Sequence, residues 1–326
     1  MASTSVVITV DADERQRAFI NKFLEKAQVT YLAGLGKDER GAALREAQVI
    51  VSWNLPRELG QDELGLLKNA RLIQLVSAGV DHVPFEALPD GPIVASNAGA
   101  FAEAMAEHVL GMTLALAKRL CIEQANLKQG SFNQLSFNRM LKGKMCGILG
   151  YGGIGQASAR LMRALGMHIY AINRSGESQA DVEFTGTLQD LKRVLSASDV
   201  LVISLPLNNL TDGLIGEREL GWMKEDAILV NVARGEILQE GAFYQHLKTH
   251  PNFLAGIDAW WVEPFRQGEF RLNYPFLELP NVLGSPHNSA VVPNIMEQGA
   301  GHALENVRRY LNGEPLQGVI RREEYL

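Results

Sequence analysis

The sequence predicts an α/β fold of two Rossmann-like, doubly wound parallel-sheet domains, one inserted into the other. Three observations predict it. Short apolar runs alternate with amphipathic, helix-like segments along nearly the whole chain. A glycine-rich turn, Gly150-Tyr151-Gly152-Gly153-Ile154-Gly155, falls almost halfway along, between such a run and such a segment. At 326 residues the chain is long for one core and comfortable for two.

The elements follow in order. Val6–Val10 reads as a strand and Asp13–Lys26 as an amphipathic helix. A strand near Val29–Leu32, a charged helix over Lys37–Ala47, and strands at Val49–Trp53, Leu72–Val76 and Ile93–Ser96 complete a first unit with no nucleotide fingerprint in its turns. Phe101–Leu120 is a long helix whose few charges lie at its ends, so it is either deeply buried or a subunit contact. A polar connection over 128–144 leads into Met145–Leu149, the strand before the glycine turn, and a helix over Gln156–Leu165 follows it. Further strands are expected near His168–Ile172, Val200–Leu205, Ile228–Val232, Leu254–Asp258 and Val282–Gly284. A last helix from about Val292 to Leu311 stops at Asn312-Gly313, with Pro315 beyond, and returns to complete the first domain.

Composition excludes several classes. With 31 basic and 37 acidic residues the net charge is −6, and no basic run follows a nucleic-acid backbone. No apolar segment is long enough to span a bilayer, and the N-terminus lacks the basic start of a signal peptide. Two cysteines, Cys121 and Cys146, read as core residues of a reducing, cytoplasmic compartment. No metal is expected.

Strand, glycine turn and helix together point to a dinucleotide. Gly150 permits the tight turn, Gly152 lets backbone approach a pyrophosphate, and Gly155 lets helix and strand pack closely. The helix N-terminus offers N–H groups to phosphate. Three later residues each follow a predicted strand: Arg234 in Asn231-Val232-Ala233-Arg234-Gly235, Glu263 before Pro264, and His287 after Pro286. Ligands of open α/β sheets bind outside the carboxyl ends of the strands, so the three can converge there. Arginine can fork onto a carboxylate or keto oxygen, histidine can deliver a proton to a forming alkoxide, and a carboxylate can hold the imidazole ring. Beside a nicotinamide, that set suits reduction of a 2-keto acid. Taken singly, each also reads as a surface charge, a loop acid or a buried histidine. His108 and His168 read as structural or surface groups.

From about Val49 to the last helix, and most strongly between Gly147 and His287, the chain resembles the D-isomer-specific 2-hydroxyacid dehydrogenase family. The matching motifs are Gly150–Gly155, Ser204-Leu205-Pro206-Leu207 with Thr211, Asn231–Gly235, Asp258 with Glu263-Pro264, and Pro286-His287. The resemblance implies that Arg234 binds substrate carboxylate and carbonyl, that His287 is the acid/base, and that Glu263 orients it. It implies cofactor contacts at Gly153, Ile154, Pro206, Ala233 and Asp258, the last on the nicotinamide carboxamide. Ser77-Ala78-Gly79-Val80-Asp81 matches the loop whose N–H groups, here of Ala78 and Gly79, hold the substrate carboxylate. Asn97-Ala98-Gly99 and Ala106-Glu107-His108 match the hinge and the start of a dimer helix. The implied organisation is a nucleotide-binding domain, 99–288, inserted into a flavodoxin-like substrate domain, 1–98 with 289–326, in a homodimer of the glyoxylate/hydroxypyruvate reductase type.

Two departures stand out. Trp260 and Trp261 replace a smaller or acidic pair, and read as packing residues or as a narrowed substrate mouth. The acid expected about 20 residues past the glycines, which would bind the ribose of NAD, is missing; the chain has Asn173-Arg174-Ser175 instead. Arg174 offers charge and Asn173 and Ser175 offer hydrogen bonds to a 2′-phosphate, so NADP is expected in preference to NAD. The same residues also suit a plain turn. A reading of another class is a nucleotide-sensing co-repressor of the same fold that binds peptides; the absence of long disordered tails favours the enzyme. Which 2-keto or 2-hydroxy acid is used stays open at this point.

Overall fold

The computed structural model describes residues 3–180 and 182–326. The chain divides into two compact units, one built from the residues up to Ala100 with Pro293–Leu326, the other from Phe101–Val292.

The first unit holds five parallel strands, β1 (Thr4–Ile8), β2 (Ala27–Tyr31), β3 (Val49–Ser52), β4 (Leu72–Leu75) and β5 (Ile93–Ala95), in the order β2-β1-β3-β4-β5. That is the flavodoxin-like order. β3 and β4 are buried at every position, as strands covered by helices on both faces must be. Helix Glu14–Phe23 starts at a capping box in which Asp13 accepts from the Gln16 N–H and the Gln16 side chain accepts from the Asp13 N–H. Helix Ile295–Leu311 closes the unit, burying Ala303, Leu304 and Val307, and Asn306 reaches the fully buried Gln74 at 2.6 Å.

The second unit holds seven parallel strands: β6 (Met145–Leu149), β7 (His168–Ile172), β8 (Phe184–Gly186), β9 (Val200–Ile203), β10 (Ile228–Asn231), β11 (Leu254–Ile257) and β12 (Val282–Gly284). Their order is β12-β11-β10-β9-β6-β7-β8. Counted from β6, this is the 3-2-1-4-5-6 dinucleotide order with one strand added, and it reverses between β6 and β9, where ligands bind. Helix Gly153–Ala164 follows β6 and packs against helix Ala102–Ala117.

Several elements differ from expectation. β8, three residues paired to β7 at the sheet edge, is too short to show as a pattern. The long helix ends at Ala117 because Arg119 turns left-handed, φ 55°, and a second helix runs Leu120–Lys128. The helix after the glycines begins at Gly153, inside the fingerprint, and the last one at Ile295. Cys146 is buried, and burial pushes its thiol up to about 12, but Cys121 is exposed and not a core residue. No helix among the described residues is long and apolar enough to cross a membrane.

One half-buried histidine yields a stability prediction. His246, on helix Glu240–Thr249, stacks on His250 at 4.1 Å and meets Phe253 edge-on at 4.6 Å. Its Nε2 is buried without a partner. Burial, helped by electrostatic repulsion from the neighbouring His250, depresses its pKa to about 4 from the ordinary 6.5. The unfolded chain therefore takes the proton first, and stability present above pH 6.5 is lost as pH falls toward 4. The urea midpoint of the wild type should fall over this window, and that of His246→Phe should fall less; parallel curves would show that His246 is not the group responsible.

Candidate active site

The three fingerprint glycines have three different physical reasons. Gly150 has φ +99°, and a Cβ there would come within 2.6 Å of the Ser204 carbonyl oxygen. A Cβ on Gly155 would lie 2.2 Å from the Gly150 carbonyl oxygen, so only glycine lets helix and strand approach. Around Gly152 nothing lies within 4 Å of such an atom. This open backbone, at the start of a twelve-residue helix beginning with Gly153, Ile154 and Gly155, fits a dinucleotide pyrophosphate. Ser204 Oγ donates to the Gly150 carbonyl at 2.9 Å and fixes the turn to the end of β9. Just beyond, the Pro206 carbonyl accepts from Thr211 Oγ1 at 2.6 Å, holding the exposed Pro206 loop.

At the end of β7, Asn173 spends its side chain on the turn itself. Its Nδ2 donates to the Glu177 carbonyl at 2.7 Å and its Oδ1 accepts from the Gly176 N–H at 2.7 Å, while Ser175 Oγ bonds both Asn173 and Glu177. Arg174 is exposed at the tip.

The ends of β10, β11 and β12 carry the remaining groups on neighbouring strands. After β10, the fully buried Asn231 accepts from the Ala233 N–H at 3.0 Å and donates to the Arg234 carbonyl at 2.8 Å. This shapes a turn with Arg234 extended at its tip, its Nη1 donating to the Ala233 carbonyl at 2.7 Å. Gly235 follows because a Cβ there would meet the Trp260 backbone at 2.5 Å. Beyond β11 come Asp258, fully buried, and Glu263, buried, whose Oε1 accepts from the Trp260 N–H at 2.6 Å. Beyond β12, His287 Nδ1 lies 2.7 and 2.9 Å from the two Glu263 oxygens. With Nδ1 so engaged, Nε2 is the ring nitrogen left to face a substrate.

The two indoles pack. Trp260 is buried edge-on to Phe270 and Phe276 and its Nε1 donates to the Ser285 carbonyl at 2.8 Å. Trp261 stacks on Phe276 at 5.2 Å and donates to the Leu238 carbonyl. Ala78 and Gly79 lie in the first unit, past β4, where Ser77 Oγ donates to the Gly79 carbonyl at 3.0 Å. Sequence reasoning missed Ser285 and passed over His108, whose Nε2 lies 3.0 Å from Ser285 Oγ. No local signal joins two residues 177 positions apart.

The family model for the D-isomer specific 2-hydroxyacid dehydrogenase NAD binding domain matches residues 110–289. A glyoxylate reductase of Aeropyrum pernix is 31% identical over 288 residues, 86% of this chain and 84% of that one. A D-3-phosphoglycerate dehydrogenase of Methanocaldococcus jannaschii is 29% identical over 307 residues, 92% of this chain but 56% of its own length, so the chain spans just over half of that relative. The fold matches the D-isomer specific 2-hydroxyacid dehydrogenase of Xanthobacter autotrophicus, solved with NADPH and MES, with a TM-score of 0.79 at 24% identity over 99% of both chains. Fingerprint, strand-end residues and these likenesses agree: the chain belongs to the D-isomer-specific 2-hydroxyacid dehydrogenase family, oxidoreductases that act on the CH–OH group of 2-hydroxy acids with a nicotinamide cofactor.

Proposed function

We propose that this protein reduces a 2-keto acid to the 2-hydroxy acid with NADPH, the cofactor-binding domain being the inserted one and the substrate domain the outer one. The observation that carries the reading is the buried Glu263 carboxylate against His287 Nδ1, at the same carboxyl end of the sheet's strands as Arg234 and the glycine turn. A bound reduced nicotinamide supplies the hydride. Arg234 binds the keto acid, the His287 Nε2–H gives its proton to the carbonyl oxygen as charge develops there, and Glu263 holds the imidazolium. The N–H groups of Ala78 and Gly79 serve the substrate carboxylate. Cofactor oxidation measured at 340 nm across keto acids from glyoxylate to phenylpyruvate tests the reaction and ranks the substrates; no turnover of any of them would overturn it.

Arg174 supports NADPH, since a guanidinium at the tip of the β7 turn attracts a 2′-phosphate and no carboxylate occupies position 173 to repel it. NADPH should exceed NADH by at least about tenfold in kcat/KM, roughly 1.4 kcal/mol. Asn173→Asp with Arg174→Ala should reverse the order. Equal values for the two cofactors would count against Arg174.

A homodimer is supported by apolar side chains on the segment after helix Leu120–Lys128: Phe132, Leu135, Phe137 (95% exposed) and Met140. The long helix before it is occupied with packing inside its own unit. Light scattering should give about twice 35.8 kDa, and Phe137→Asp with Leu135→Asp should shift it toward the monomer.

A further inference from the structure

His287 stands in a conformation that needs outside support. Its φ is +49°, in the left-handed region that a non-glycine residue occupies at some cost. Three bonds from one residue supply the support. The Asp258 carbonyl accepts from the His287 N–H at 2.9 Å, and the Asp258 carboxylate accepts from the N–H groups of Asn288 at 3.2 Å and Ser289 at 3.3 Å. The last two are long, so their value depends on how well the carboxylate is aimed. That carboxylate is fully buried, where an unpartnered charge is costly.

Two side chains aim it. Ser285 Oγ donates to Asp258 Oδ1 at 2.5 Å. Having spent its one hydrogen there, this hydroxyl can only accept from His108 Nε2, 3.0 Å away. The same His108 nitrogen is 3.7 Å from Asp258 Oδ1. A directed chain results, from His108 Nε2–H to Ser285 Oγ–H to Asp258 to the backbone at 287–289. It begins on helix Ala102–Ala117 and ends under the acid/base.

We propose that Ser285 and His108 are positioning residues for the reaction, acting through Asp258 on the turn that carries His287. The proposal rests on the function given above. A small misplacement of an acid/base costs rate rather than binding. Ser285→Ala should therefore lower kcat by about tenfold, with the keto-acid KM within about twofold, and it should speed hydrogen exchange in the peptide spanning 286–290. Ser285→Thr keeps the hydroxyl and should recover most of the rate. His108→Gln keeps an N–H donor and should lose less than His108→Leu. The proposal is overturned if Ser285→Ala keeps kcat and exchange at wild-type values, or if exchange quickens with no change in kcat. It is also overturned if Ser285→Thr and His108→Gln lose as much rate as Ser285→Ala and His108→Leu, in step with a lowered Tm. A wild type inactive on every keto acid would count against the reaction itself; exchange at 286–290 would then still decide whether Ser285 holds the turn.

Discussion

His287→Ala should lower kcat by about a hundredfold or more, the scale on which a positioned general acid contributes. The imidazole is the group whose Nδ1 is pinned by Glu263 at 2.7 Å, which leaves Nε2 to meet the carbonyl oxygen. Alanine removes the proton donor but leaves the fingerprint and Arg234 in place, so the KM for the reduced cofactor should change little. Glu263→Gln is the milder companion. An amide can still accept from the Nδ1–H through its oxygen, but it no longer offers a charge to the imidazolium, and its loss should be smaller than that of His287→Ala. Steady-state rates on the best keto acid check both; near-wild-type kcat for His287→Ala would sink the assigned mechanism.

Arg234→Lys should be far from conservative. The planar guanidinium can place two parallel N–H groups on a 2-keto carboxylate, and an ammonium on a flexible stem cannot. Losing that fork should cost roughly 2–4 kcal/mol in kcat/KM, or about 30- to 1,000-fold. The Asn231 bonds that shape the turn involve backbone groups of 233 and 234, so they survive the substitution and the variant should fold normally. Comparing kcat/KM at matched Tm separates lost recognition from lost structure. An unchanged kcat/KM would place Arg234 outside the substrate contacts.

Much of this architecture is legible in the sequence because the physics is local. A buried parallel strand must be a short apolar run, and Met145–Leu149 is one. The glycines at 150, 152 and 155 announce their roles by spacing: the first and last answer local steric demands, and the middle one leaves open backbone. Strand ends are less legible. The apolar run from Val200 reaches Leu205 after the ladder stops at Ile203, because Leu205, half-buried, still packs against the core once the chain has left the sheet. The break at Arg119 was hidden, since nothing in its side chain demands φ 55°. Glu263 and His287 could be suspected as partners from their chemistry. The chain through His108 and Ser285 could not, because it exists only once a helix has packed across the ends of β11 and β12. The aromatic nest around Phe276 that absorbs both indoles is likewise assembled from distant segments.

The way the outer unit is stitched together has a consequence for synthesis on the ribosome. β5 meets Val319 through Ala95, Ser96 donates its N–H to the Gly318 carbonyl, and Arg322 bonds the carbonyls of Phe85, Leu88 and Pro89. Part of what seals β4 and β5 is thus translated only after the inserted unit. At ordinary elongation rates the nearly two hundred residues between Ala100 and Pro293 take roughly 10–40 s to emerge. During that interval the nascent sheet keeps an uncovered apolar face at Val51, Leu72, Val76 and Ala95, residues that pack with Leu304 and Val307 once the helix Ile295–Leu311 has followed. The inserted unit needs none of the final stretch and is complete first. A released fragment ending at about residue 292 should therefore hold a protease-resistant inner unit and a protease-sensitive outer one.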